Sequence, residues 1–123
     1  MEYVLHKDDA LHFDLKNPDR EVFLWVDKNR GAKNISAGTG EVPVDGEFLY
    51  HSHDVEEIMF VYRGEGVAIV EGETFPLGPE TMVFMPPGVM HQFRNTGDGP
   101  LAFAFFYAPP GPEQVYYAID DED

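Results

Sequence analysis

From Glu41 onward the chain is cut by glycine and proline turns into apolar segments too short to form a helical face. Those segments are Glu47–His53, Ile58–Arg63, Val67–Glu71, Glu73–Pro76, Thr81–Met85, His91–Asn95 and Leu101–Ala108. Between them stand Arg63-Gly64-Glu65-Gly66, Glu71-Gly72, Leu77-Gly78-Pro79, Pro86-Pro87-Gly88 and Thr96-Gly97-Asp98-Gly99-Pro100, all turn-forming in chemistry. No window from 41 to 110 sustains a 3.6-residue apolar period, and strands at this rhythm predict a sandwich or barrel. The expected fold is therefore all-β, a small antiparallel β-barrel or jelly roll in a single domain. Residues 1–40 are expected as an N-terminal arm of two or three strands packing on the barrel, Glu21–Asp27 being the clearest. Residues 41–110 are expected to form the barrel core, and residues 111–123 a last strand with an acidic tail.

Composition removes several functions. There is no cysteine, so disulfide frameworks, thiolate metal sites and cysteine nucleophiles are excluded together. The first sixteen residues, MEYVLHKDDALHFDLK, are polar where a signal peptide needs a continuous apolar stretch, and a cytoplasmic location is expected. No apolar run is long enough to span a bilayer. Net charge is −15, unevenly spread: residues 1–40 carry six basic and seven acidic side chains, residues 41–123 only Arg63 and Arg94 against sixteen acids. Such a surface repels nucleic acid and anionic membranes, leaving a small molecule as the expected partner.

Three histidines and one glutamate hold the chemical interest. His51 and His53 stand at i and i+2, so on one strand both rings project from the same face. Glu57 shares their parity across the short acidic segment Asp54-Val55-Glu56, where a bend swings it back over that face. His91 follows the Pro-Pro-Gly turn and opens another strand, approaching from beside them. Imidazole and carboxylate together suit Fe(II), Mn, Ni, Co, Cu or Zn, one divalent ion per chain. A lone histidine is usually a surface or core residue, and His6 and His12 are read that way. His-x-His alone also means little; the extended spacing is what points to a metal.

With these residues in view, the segment His51-Ser52-His53-Asp54-Val55-Glu56-Glu57-Ile58-Met59-Phe60-Val61-Tyr62-Arg63-Gly64 resembles the first cupin motif, G-x5-H-x-H-x3-4-E-x6-G. The match is complete from His51 to Gly64, while Gly46 sits one residue closer than the pattern asks. The segment Pro86-Pro87-Gly88-Val89-Met90-His91-Gln92-Phe93-Arg94-Asn95 resembles the second motif, P-x-G-x2-H-x3-N, with Gly78 two residues further upstream than the strict form. Both departures fall in turns, which absorb a residue or two cheaply. The resemblance covers about residues 41–108. It implies a cupin barrel whose metal is held by His51, His53, Glu57 and His91, with Gly64, Gly88 and Asn95 fixing turns. It also implies a homodimer, as in many single-domain members.

The resemblance does not choose a reaction, since cupins include dioxygenases, isomerases, epimerases, lyases, decarboxylases and binders without activity. Parity with the histidines turns Met59 and Val61 inward and sets Phe93 beside His91. On Leu101–Ala108 either Phe103, Phe105 and Tyr107 or Ala102, Ala104 and Phe106 face the interior; the first choice walls a substrate pocket with Met, Phe and Tyr. Arg63 lies in a turn and Arg94 has parity opposite to His91, so an anionic substrate would rely mainly on the metal. Lyases of the superfamily tend to place a tyrosine two residues after the glutamate ligand, where this chain has Met59. The expected activity is that of a metal-dependent oxygenase, Fe(II) favoured, on a small enolic, diketone or aromatic substrate, with Glu57 as a loose ligand and general base. The alternatives are a redox-neutral isomerase or lyase, and a binding module without turnover.

Overall fold

The structure, a computed structural model, describes residues 3–122. Among the described residues nine strands form two antiparallel sheets: β1 Leu11–Leu15, β2 Arg20–Val26, β3 Ser36–Val42, β4 Glu56–Arg63, β5 Gly66–Val70, β6 Glu73–Leu77, β7 Thr81–Met85, β8 His91–Asn95 and β9 Leu101–Ala108. The larger sheet runs β1-β2-β3-β9-β4-β7 and the smaller β6-β5-β8. This is a jelly roll of two facing sheets, in keeping with the all-β expectation.

Alternation along the strands builds the core. On β4, Glu57, Met59 and Val61 are buried while Ile58 and Phe60 are half-buried and Tyr62 is exposed. On β9 the inward set is Phe103, Phe105 and Tyr107, although Leu101 and Ala102 at its start are both buried. From the smaller sheet come Ala68, Leu77 and Phe93. Each such side chain fully removed from water contributes about 1.5–3 kcal/mol, so this face fixes the register of the sheets.

The arm is woven into the larger sheet. β3 pairs with β9 along its whole length, Ser36 opposite Tyr107 through Val42 opposite Leu101, and residue 40 lies inside it. Its sequence, SAGTGEV, has little strand character because the opposite strand supplies the bulk. Gly40 faces Phe103 and Gly38 faces Phe105. A Cβ at Gly38 would stand 2.5 Å from the Phe105 ring, so only glycine leaves that ring its place.

Two expected elements differ. Glu47–His53 is no continuous strand: only isolated bridges, Glu47 with Arg94 and His51 with His91, tie it to β8. The bridges differ in register by one residue, and that slip breaks the ladder between them. The stretch expected as a last strand is instead a 3₁₀ turn, Pro112–Gln114, followed by helix α1, Val115–Glu122. Its apolar residues read as a strand, but proline early in the turn starts a helix that sets Tyr116, Tyr117 and Ile119 against the core. Asp123, the end of the expected acidic tail, lies outside the described residues. No helix among the described residues is long and apolar enough to cross a membrane.

Candidate metal centre

Each candidate ligand is aimed by a different piece of backbone. Glu57 sits on β4, inward by the same alternation that buries Met59. His91 opens β8, and its amide and carbonyl exchange hydrogen bonds with His51, at 2.8 and 3.0 Å. His53 is held by its carbonyl, which accepts from the Gly88 amide at 2.7 Å. Gly88 has φ +84°, a conformation that glycine adopts without strain, so the Pro-Pro-Gly turn serves the site directly.

The rings converge. One ligand nitrogen from each of His51, His53 and His91 lies within 4.8 Å of the others. Glu57 Oε1 is 3.3 Å from His91 Nε2 and 3.6 Å from His53 Nε2. Two donors each about 2.1 Å from a common ion stand about 3–3.4 Å apart at ordinary coordination angles. The observed spacings are close to that range.

The hydrogen bonds decide which nitrogens face inward. His91 Nδ1 is 2.9 Å from the Val89 carbonyl and His51 Nδ1 is 2.5 Å from that of Leu49. A carbonyl only accepts, so both Nδ1 atoms carry the proton and both Nε2 atoms keep their lone pairs. Outer partners of this kind are what orient a metal-bound imidazole. At the centre, His53 Nε2, Glu57 Oε1 and His91 Nε2 are buried without a hydrogen-bond partner among the described residues. Orphaned polar atoms are costly and rare in a folded protein, and three aimed at one point fit a cation there.

Burial holds His51 and His53 below the ordinary histidine value, keeping them neutral as ligands must be; for His51 the neighbouring His91 and Arg20 charges add to the effect. Burial also pulls His91 down, but the Glu57 carboxylate and the Val89 carbonyl outweigh it and raise His91.

Above the cluster is a small cavity of about 30 Å³, walled by Phe93, Phe103, Phe105 and Tyr107 together with Phe48 and Tyr116. It has room for about one water-sized group. It adjoins a cleft of about 410 Å³, which shares Phe48, His51, Tyr107 and Tyr116 with it. Met59 and Val61, expected in the pocket, are fully buried in the core and line neither space. Burial raises Tyr107 well above the usual phenol range and pushes Tyr116 up to about 12. Both phenols are therefore neutral at physiological pH. Arg63 and Arg94 point away as expected, paired with Glu41 at 2.8 Å and Glu47 at 2.9 Å on the surface.

Sequence reasoning missed Phe48 and Arg20 and did not single out Tyr116. Phe48 lies in the broken strand, Tyr116 on the unforeseen helix, and Arg20 at the start of β2 where no periodicity marks it. His6 and His12 take surface roles: His6 caps a 3₁₀ turn, Lys7–Asp9, and His12 stacks on Phe23.

A family model described as a cupin domain matches residues 38–107. The chain is 33% identical over 73 residues to polyketide synthase CurC of Streptomyces cyaneus, covering 59% of this chain and 47% of that protein. It is 35% identical over 72 residues to glucose-6-phosphate isomerase of Thermococcus kodakarensis, covering 50% of this chain and 38% of that one. The matches thus span less than half the length of these two curated relatives. Among solved structures, the polyketide cyclase RemF from Streptomyces resistomycificus has a TM-score of 0.79 at 22% identity, covering 91% of this chain and 82% of that chain. An RmlC-like cupin from Shewanella frigidimarina has a TM-score of 0.79 at 16% identity, covering 94% and 97%. At such identities the likeness is one of fold.

Proposed function

The chain belongs to the cupin family, and from that premise we propose that it is a metal-dependent enzyme acting on a small enolic, diketone or aromatic substrate, as an oxygenase. His51, His53, Glu57 and His91 would hold one divalent transition-metal ion, Fe(II) being favoured. The observation that carries this reading is the set of three buried, unpartnered atoms, His53 Nε2, Glu57 Oε1 and His91 Nε2, beneath an aromatic cavity.

A bound ion of this kind supplies Lewis acidity toward a substrate oxygen and, as iron, electrons for dioxygen. The chain's own residues do the rest. Phe93, Phe103 and Phe105 exclude water and leave space for a single oxygen beside the cluster. Glu57 Oε1 takes a proton from an enolisable carbon or a phenol. Tyr107, whose ring packs edge-on against His53 at 5.2 Å, and Tyr116 stay protonated and offer hydrogen bonds to a substrate oxygen from the cavity wall.

The test is oxygen consumption by iron-reconstituted protein with a panel of diketones and phenols. Uptake that stops with Glu57→Gln, a loss of about a hundredfold or more with metal retained, supports the reading. Turnover unchanged in that variant sinks the base role. A redox-neutral isomerase, cyclase or lyase is the second reading, favoured by the polyketide cyclase of like fold and by the isomerase relative. It predicts product without oxygen uptake, under Zn, Ni, Co, Cu or Mn as well. Ligand binding without turnover under any metal would mark a binding module. Cytoplasmic residence and a homodimer belong to the same proposal. The dimer would cover the outer face of β4 and β7, where Tyr62, Met82 and Phe84 are exposed, and a monomeric mass by light scattering would contradict it.

A further inference from the structure

We infer that Tyr107 is a positioning residue of the metal centre, its ring setting the angle at which His53 presents Nε2 to the cluster. This deepens the proposal above and rests on its reading of the cluster as a metal site.

The three histidines are not held alike. His51 and His91 each have Nδ1 tied to a backbone carbonyl, that of Leu49 at 2.5 Å and that of Val89 at 2.9 Å. Such bonds fix both the tautomer and the ring angle. His53 has no bond of this kind among the described residues. Its carbonyl accepts from the Gly88 amide, which pins the backbone but leaves the imidazole a broad outer torsion. Its Nε2 is nevertheless buried and stands 3.6 Å from Glu57 Oε1, aimed inward like the others. Packing, not a hydrogen bond, holds that angle.

Of the rings around His53, two belong to the cluster itself, His51 at 4.7 Å and His91 at 5.6 Å. The third is Tyr107, at 5.2 Å with the planes 80° apart. Edge-to-face contact is a preferred and directional arrangement of aromatic rings, so turning the imidazole loses it. A clamp has to be rigid, and Tyr107 is 4% exposed near the end of β9, flanked in register by Ser36 of β3 and Glu57 of β4. Phe105 packs on its ring at 5.5 Å. Residues directly opposite on paired strands bring their side chains into contact, so the same ring flanks the stem of Glu57. Carbonyls thus orient two of the candidate ligands, and one phenol ring serves the other two.

Chelator competition measures zinc affinity, and the visible spectrum of cobalt-loaded protein reports the geometry around the ion. Tyr107→Leu should weaken zinc by about ten- to a hundredfold, the usual cost of losing a group that orients a ligand, and should alter the cobalt spectrum. Tyr107→Phe keeps the ring and should leave both as in the wild type. Leu77→Ala opens a hole in the core at the Asn95 end of the smaller sheet, and should lower the melting temperature without changing zinc affinity. Should Tyr107→Leu not fold, Tyr107→Met fills more of the same space and takes its place.

Full zinc affinity in Tyr107→Leu, or a loss in Tyr107→Phe as large as in Tyr107→Leu, would overturn the inference while wild-type metal content leaves the metal reading standing. Carbon relaxation of the histidine rings in metal-free protein decides it independently. The His53 ring should gain motion in Tyr107→Leu but not in Tyr107→Phe, while His51 and His91, tied to carbonyls, stay rigid. If the wild type takes up no metal, the metal reading fails on its own, and a His53 ring as rigid in Tyr107→Leu as in the wild type would still sink the inference.

Discussion

Two kinds of buried polar group in this molecule are built from opposite rules. At one end of the jelly roll, Asn95 is 4% exposed and fully provided for. Its Nδ2 donates to the carbonyls of Val42 and Gly99 at 3.0 and 2.9 Å, and its Oδ1 accepts from the Gly97 amide at 2.9 Å. Glu113, buried at the opposite end beside Ser36, which pairs with Tyr107, is satisfied too: it accepts from Ser36 Oγ, the Gly111 amide and Gln114 Nε2. At that same end, Glu57, His53 and His91 bury polar atoms that have no hydrogen-bond partner among the described residues. A polar group buried for architecture brings its partners with it. A polar group buried for function waits for a partner from outside, and folding carries the cost.

Breaking each cluster separately should give different signatures. The largest effect is metal loading. At a thousandfold excess over its dissociation constant an ion should stabilise the fold by about 4 kcal/mol. Thermal melts with and without chelator should show that shift in the wild type and lose it in His53→Ala. Next, Asn95→Ala leaves two carbonyls and an amide unpaired and should cost about 2–4 kcal/mol by denaturant unfolding, whether or not metal is present. Metal content of the folded variant should stay unchanged. Ser36→Ala removes one of Glu113's three partners and should cost about 1–2 kcal/mol on the same assay.

The smallest effect sharpens the comparison through pH. Tyr107 and Tyr116 are raised in the folded state, Tyr116 to about 12, while in the unfolded chain both ionise near the ordinary value. The folded state therefore holds more protons above about pH 10, and stability should fall as pH rises from there toward 12. Tyr116→Phe should flatten part of that slope.

How far the sequence reveals this follows from where each signal lies. Thr81–Met85, His91–Asn95 and Leu101–Ala108 appear with the bounds read from their apolar runs and turns, because each strand's identity is local. The gathering of His51, His53 and His91 was legible because the His-x-His spacing and the Pro-Pro-Gly turn are local too, although the strand expected to carry the first two is broken. β3 was not, since its glycines make sense only against Phe103 and Phe105 more than sixty residues later. The bulged Glu47–His53 stretch and α1 escaped for the same reason: a slipped register and a helix packed on Phe13 are settled by tertiary contact. Arg20 was invisible because only folding carries the first hairpin to the mouth of the site.

The central claim is that the unpartnered cluster is a metal site. The most direct measurement is elemental analysis of protein purified without chelator, beside His53→Ala treated alike. About one transition-metal ion per chain, absent from the variant, is the predicted result. No metal in either, even after reconstitution with Fe(II), Zn, Mn, Ni, Co and Cu in turn, would contradict it and leave three buried polar atoms without a cause.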